Sequence, residues 1–313
     1  MNKSDKIYVA GHTGLLGSAL VRELQSAGYF NLLLRSHEEL ELTNSKAVSE
    51  FFEAAQPDYV ILAAGKVGGI LQNQEIPADF LTTNLKIQLN VLESAHRNNV
   101  RKLVLFGSSC MYPRECPQPM SEDVLLSGVP ELTSLPYAIS KLAGLQLCLA
   151  YNKQFGATKF IPVIPNSVFG PNDNFDPHTG HVLSALIHRI HRAQEEGLPE
   201  LTLWGTGDVR REFVYSSDIA DAVIMILSSD VEKVPLPLNI GSGSDYSIRE
   251  LAHEIAAVVG FEGDIKWDST KPDGAPRKLL DSARLLGLGW KPKVNFLDGL
   301  ESTYKWYLEN WAK

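Results

Sequence analysis

Only three cysteines occur among the 313 residues: Cys110, Cys116 and Cys148. Three thiols cannot make a disulfide framework, and no pair has zinc-ribbon spacing, so neither a stapled fold nor a metal centre is expected. Long apolar runs are also missing. None approaches the ~20 residues of a membrane-spanning helix. Nor is there a basic run: 29 Lys and Arg stand against 37 Asp and Glu, a formal charge of −8. Such a chain is a poor partner for nucleic acid, although a local basic pocket for a phosphorylated metabolite stays open. Met1–Lys6 leads into an apolar strand with no secretory h-region, which points to a reducing, cytoplasmic location. Repeats and low-complexity segments are absent. What is there, 44% hydrophobic and 21% charged residues, suffices for a real core. The length suits one large or two intimate domains.

Short apolar strands alternate with helical patterns through the first half. Lys6–Ala10, Leu32–Leu34, Tyr59–Ala64, Lys102–Gly107 and Lys159–Ile164 read as strands. Leu15 to about Gly28, Ser45–Ala55, Ala78–Asn98 and Tyr137–Phe155 read as helices. Continuous apolar strands between helices predict a parallel sheet covered on both faces, hence an α/β fold with a Rossmann-type doubly wound sheet. Past Pro165 the rhythm changes. Gly170–Pro177 is loop, His181–Glu196 helix and Leu201–Gly205 a strand into a turn. Asp218–Leu227 is helix, and Ser247–Val259 is a helix opened by a capping box of Ser247 and Glu250. We expect a nucleotide-binding domain over residues 1–165, with chain returning around 212–240. Residues 166–211 and 241–313 would form a smaller mixed α/β substrate domain.

Gly11, Gly14 and Gly17 fall between the first strand and the first helix, with His12, Thr13, Leu15 and Leu16 filling the turn. A tight turn, close backbone approach to a pyrophosphate and helix-on-strand packing each need a residue without Cβ. The helix N-terminus then offers N–H groups and partial positive charge to phosphate. At the end of the second strand, Arg35 and His37 would accept a ribose 2′-phosphate and favour NADP. Glu38 turned inward would hold a 2′-hydroxyl and favour NAD.

Tyr137 and Lys141 are spaced i and i+4, on one helix face. A lysine ammonium beside the phenol would bring its pKa from about 10 toward neutrality and make it a usable acid. Ser108 follows a strand at the sheet edge where open α/β sheets bind ligands, and would orient a carbonyl oxygen. Ser109 beside it reads first as a strand-end hydrogen-bonding residue.

These features resemble the extended short-chain dehydrogenase/reductases, and among them the GDP-sugar 3,5-epimerase/4-reductases. The resemblance spans nearly the whole chain. It is carried by Ala10–His12, Ala63–Ile70, Gly107–Pro113, Gly170–Phe175, Gly180–Val182, Trp204–Gly207, Arg210–Phe213 and Lys271–Gly274. It implies NADP(H) as cofactor, with Ala63, Ala64, Phe106, Gly107, Pro165, Asn166, Val168 and His181 adding to its site. It implies GDP-4-keto-6-deoxy-D-mannose as substrate. Ser108, Tyr137 and Lys141 would serve the reduction, and Cys110 and His181 the epimerisation as base and acid. Read alone, Cys110 is a small hydrophobe and His181 a satisfied polar residue.

Ser109, Arg189, Trp204, Arg211, Asp273 and Lys278 would hold the nucleotide sugar, the cations meeting its diphosphate. Asp273 reads equally well as a turn former, and Arg210 as a partner of Glu212. Cys148 reads as core, Cys116 as loop, and His188 and His191 as exposed helix positions. A homodimer through the helices 78–98 and 137–155 is implied as well. Thr13 and His37 stand where relatives carry arginines, and Asn166–Ser167 where they carry a Thr-Asn pair. Alternatives are a related GDP-4-keto sugar of the colitose or heptose series, or a non-catalytic NAD(P)-binding scaffold.

Overall fold

The computed structural model describes residues 1–271 and 273–312; Pro272, in the Lys271–Gly274 block, lies outside them. The order of elements is β1 (Ile7–Ala10), α1 (Leu15–Ser26), β2 (Leu32–Leu33), α2 (Ser45–Ala55), β3 (Tyr59–Leu62), α3 (Ile70–Glu75), α4 (Pro77–Arg97) and β4 (Lys102–Phe106). There follow α5 (Leu135–Phe155), β5 (Phe160–Pro165), β6 (Ser167–Phe169), α6 (Val182–Glu195), β7 (Glu200–Trp204), β8 (Arg210–Tyr215) and α7 (Ser216–Ser228). The chain ends with β9 (Leu238–Ile240), β10 (Asp245–Ser247), α8 (Ile248–Val259), β11 (Asp264–Asp268), β12 (Arg277–Lys278), α9 (Ala283–Gly287) and α10 (Phe296–Asn310).

Six strands form an all-parallel sheet in the order β2-β1-β3-β4-β5-β9. Alternate residues of each strand enter opposite cores, as a period of two requires. Ile7, Val9, Ile61 and Val104 meet α1 and α7 through Leu20, Leu24, Ile219 and Val223. Tyr8, Val60, Leu62 and Leu103 meet α2, α4 and α5 through Phe52, Ile87, Val91 and Cys148. Burial on both faces explains why these strands are apolar throughout. The α/β class and the Rossmann-type sheet are as expected. The ends differ: β2 stops at Leu33, and α4 and α5 begin earlier than their apolar periodicity suggests, with a proline in the first turn of each. Proline fits there because its missing N–H has no helical acceptor to lose.

Residues 216–240 return to this sheet, α7 covering one face and β9 pairing with β5. A second sheet is built on β8, which pairs antiparallel with β10 and parallel with β6 and β12. β7 and β11 make a third, parallel pair. The capping box of Ser247 and Glu250 opens α8 as its sequence requires. Phe175, Ile187, Leu251, Leu300 and Tyr307 share the core of this half. Its composition corrects one expectation. His188 and His191 are not free on the surface: their Nδ1 atoms lie 2.9 Å from the hydroxyls of Tyr307 and Tyr304. The reason is α10, an aromatic helix the sequence reading did not foresee. Among the described residues no helix is long and apolar enough to cross a membrane.

Candidate active site

A parallel sheet brings all its strand C-termini to one edge. Here that edge carries Gly11 after β1, Ala63 and Ala64 after β3, Gly107 and Ser108 after β4, Asn166 after β5 and Gly241 after β9. The glycine turn is built for close approach. Gly11 has φ +81°, and a Cβ there would come within 2.8 Å of the Ala64 amide nitrogen. A Cβ on Gly17 would overlap the Gly11 carbonyl. Gly14, by contrast, has open space beyond that carbonyl, and it caps α1 without any side-chain hydrogen bond. The first turn of α1 holds no acidic residue, so its N–H groups face an open cradle without competition. His12 Nδ1 is buried there with no partner. A cradle closed to side chains, lined by unpaired donors, fits a pyrophosphate. At the end of β2, Arg35 is exposed and donates to the Leu34 carbonyl at 2.8 Å, while His37 pairs with Glu41 at 2.7 Å. Glu38 is exposed beside them.

Ser108 is the hub of the neighbouring cluster. Its extended backbone ends β4, and its hydroxyl accepts from the Cys110 amide at 3.2 Å, starting a short 3-10 turn over Ser109–Met111. The same side chain also lowers the pKa of the Cys110 thiol and of the Tyr137 phenol. Ser109 is buried in this turn, and its carbonyl accepts from the Tyr112 amide. Tyr137 comes in from α5, its ring edge-on to Phe80 at 6.1 Å. Lys141, one turn on, donates to the Phe106 carbonyl at 3.0 Å.

The expected acidification of Tyr137 by Lys141 is corrected here. Burial pushes the phenol well above its ordinary value, the neighbouring Cys110 adds to this, and the Ser108 hydrogen bond only partly offsets them. The ammonium of Lys141 is committed to a carbonyl and sits 5.8 Å from the phenol ring centroid. Burial instead brings Lys141 down to about 8. Tyr137 is therefore a fully protonated donor at neutral pH.

Cys110 behaves in the opposite sense. Burial raises its pKa, but the charge and hydrogen bond of Lys278, with the side chains of Ser108 and Ser134, outweigh it, so the thiol lies below its usual range. Lys278 Nζ is 3.6 Å from Cys110 Sγ. The sequence reading gave this lysine to a diphosphate; the fold puts its ammonium on the thiol. Strand alternation explains how. β12 pairs with β8 so that Arg277 lies beside Arg210 and Lys278 beside Arg211. Arg210 and Arg277 point one way and clamp Asp245. Arg211 and Lys278 point the other way, where the charge of Arg211 meets Cys110. The anticipated pairing of Arg210 with Glu212 does not form. Glu212 is fully buried and accepts from Asn166 Nδ2 and the amides of Gly243 and Leu280.

The remaining residues lie further along. Arg211 Nη1 donates to the carbonyls of Arg210 and Ala275, both at 2.7 Å. Arg189 on α6 donates to the Thr202 carbonyl at 2.8 Å. Trp204 is 57% exposed, with the Lys271 ammonium over its ring. Asp273 accepts from the Thr206 amide and hydroxyl, so both of its oxygens hold the 204–207 turn. Val168 is half-buried in β6 beside Ser167, whose amide donates to Asn166 Oδ1. His181 is exposed and caps α6. Its neighbours differ from those of the Ser108 cluster: its charge acts on buried Asp173, which accepts from Ser184. The 178–180 loop before it is held by Gly69, whose amide donates to the Thr179 carbonyl at 3.2 Å.

Ser134 and Asn84 escaped the sequence reading, and Glu212 and Lys278 were given other roles. Ser134 helps to lower the Cys110 pKa, Glu212 anchors β12, and Lys278 acts on sulfur. Asn84 binds both the amide and carbonyl of Lys66 and so fixes the loop after β3. Only Asn84 left a signal, a polar residue on the apolar face of a helix.

A model of the NAD dependent epimerase/dehydratase family matches residues 7–241. GDP-L-fucose synthase 1 of Arabidopsis thaliana is 52% identical over 311 residues, covering 99% of this chain and 95% of that protein. The crystal structure of a GDP-6-OMe-4-keto-L-xylo-heptose reductase from C. jejuni superposes with a TM-score of 0.92 at 36% identity, covering 99% of each chain. A GDP-L-fucose synthetase from Naegleria fowleri bound to NADP gives a TM-score of 0.90 at 28% identity, over 99% of this chain and 95% of that one. A glycine cradle at the end of β1, a Ser–Tyr–Lys set around one point and a match of this extent lead to one assignment: the chain belongs to the NAD dependent epimerase/dehydratase family.

Proposed function

We propose that the chain converts GDP-4-keto-6-deoxy-D-mannose to GDP-L-fucose, by 3,5-epimerisation followed by NADPH-dependent reduction at C4. The observation that carries this reading is the position of Ser108. Its side chain acts on both the phenol that a reductase needs and the thiol that an epimerase needs. A ketone oxygen held by Ser108 and Tyr137 becomes the common centre of both reactions. Cys110 takes a proton from the carbon beside that ketone. The developing enolate oxygen is stabilised by the Ser108 and Tyr137 hydroxyls. His181 returns a proton to the opposite face. When bound, NADPH supplies the hydride to C4, and Tyr137 gives the oxygen its proton.

Residues 1–165 with the returning strand hold the cofactor in this scheme, through the Gly11–Gly17 cradle, Ala63, Ala64, Asn166 and Lys141. Arg35 and His37 meet the 2′-phosphate. Residues 166–211 and 241–313 hold the GDP-sugar, with Arg189 and Arg211 at its diphosphate and Trp204 beside it. NADPH oxidation should accompany GDP-L-fucose formation from the keto sugar, faster than NADH oxidation. No oxidation of either cofactor would sink the reading.

The intact Ser108–Cys110 pair favours this substrate over reduction alone. Cys110 must stay a free thiol to act, which suits a cytoplasmic setting. We also assign a homodimer to the α4–α5 face, which leaves Leu89, Ile139 and Phe155 exposed. Light scattering should give twice the 34.5 kDa chain mass; the mass of a single chain at micromolar concentration would refute it.

A further inference from the structure

We propose that Lys278 is the positioning cation of Cys110: its ammonium, fixed by strand pairing beside the thiol, keeps that sulfur a thiolate before any substrate arrives. This rests on Cys110 as the epimerisation base and adds the residue that arms it. A thiol is a weak base precursor at neutral pH, since a free cysteine is mostly protonated there, and only the thiolate accepts a carbon-bound proton. An opposite charge within about 4–6 Å lowers such a pKa by about 1–3 units. The Nζ–Sγ separation here is 3.6 Å.

The lysine is not a chance neighbour. β12 is a two-residue strand pinned on both sides of Lys278: before it, the Arg210 amide donates to the Pro276 carbonyl at 2.8 Å. Asn166 Nδ2 donates to the Lys278 carbonyl at 3.1 Å. Glu212 accepts from the Leu280 amide at 2.9 Å and from Asn166 at 2.6 Å. With both ends of the turn held, the side chain at position 278 is directed at the sulfur, and its neighbour Arg277 at Asp245.

Other groups around the thiol work in known senses. The side chains of Ser108 and Ser134 also lower its pKa, and Arg211 on β8 adds a second positive charge. Tyr137 is neutral, with its phenol pushed up by burial. The charge of Lys278 also reaches Cys116, whose thiol burial holds up. In the resting protein Cys110 gives its proton to solvent, leaving S⁻ beside the Lys278 ammonium. In turnover S⁻ takes the substrate proton, and the pair becomes neutral thiol beside ammonium.

The test uses substrate-free protein, so that binding of a diphosphate cannot enter. Alkylation by iodoacetamide is followed against pH, and modified Cys110 is separated from Cys116 and Cys148 by peptide mass spectrometry. In the unmodified chain the midpoint for Cys110 should lie below that of a free cysteine. Lys278→Met should raise it by about 1–3 pH units and slow alkylation at neutral pH at least about tenfold. Lys278→Gln, which keeps length and polarity, should do the same, and Lys278→Arg should leave the midpoint low. NADPH binding, seated on other strands, reports that each variant is folded.

An unchanged midpoint in both neutral variants would overturn the proposal and return Lys278 to the diphosphate, where its loss would raise KM alone. Whether Cys110 is the base at all is read separately, from isotope exchange in the cysteine variant.

Discussion

Tyr137→Phe should lower C4 reduction by about 10²–10⁴-fold, the usual contribution of a positioned general acid. Deuterium should still enter the sugar from heavy water at a slower rate. The size of the effect follows from where the phenol sits. Burial drives its pKa up and the Ser108 hydrogen bond offsets that only in part, so the group holds its proton at any working pH. Such a group gives a proton up only to an oxygen that is becoming an alkoxide. Phenylalanine keeps the edge-on contact with Phe80, so the fold around α5 survives. The readouts are cofactor absorbance and mass spectrometry of the recovered nucleotide sugar. Reduction at the unmodified rate would remove Tyr137 from the acid role.

Cys110→Ser should stop exchange at C3 and C5, a loss of about 10²–10⁴-fold in the rate of proton removal. Serine can accept the same hydrogen bonds but is not ionised near neutral pH, even beside Lys278. Reduction should continue on sugar that has not been epimerised, giving a product with C3 and C5 as they entered. Undiminished exchange would take Cys110 out of the mechanism. The pH dependence carries the same sign. Burial alone would raise the Cys110 pKa, but Lys278, with Ser108 and Ser134, brings it below the ordinary thiol value. The active form is the deprotonated one. Exchange should therefore hold its plateau to lower pH than a free cysteine would allow, and fall as the thiol regains its proton.

What the sequence revealed and what it hid divide along the same physical line. The strands of the large sheet were legible because helices cover both faces, and continuous apolar runs such as Ile7–Ala10 and Tyr59–Leu62 follow. The glycine turn and the Tyr137–Lys141 pair were legible because each is a local spacing on one element. β6 and β12 were not, being three and two residues long and defined only by pairing with β8. The contact between Lys278 and Cys110 joins residues 168 positions apart. No local pattern encodes it, and composition assigns a lysine to a phosphate by default. His188 and His191 were misjudged for the same reason: their tyrosine partners come from α10, over a hundred residues on.

The arginine pair on β8 and the Arg–Lys pair on β12 are chemically near-duplicates, and the sheet tells them apart only by whether a residue is odd or even along its strand. A one-residue slip of β12 on β8 would turn positions 277 and 278 to opposite faces without changing the charge of the chain. The site would then present guanidinium to the sulfur and leave lysine to grip Asp245. The register of β12 on β8 is thus as much a part of the acid–base chemistry as any side chain, and a slip there would be silent in every motif.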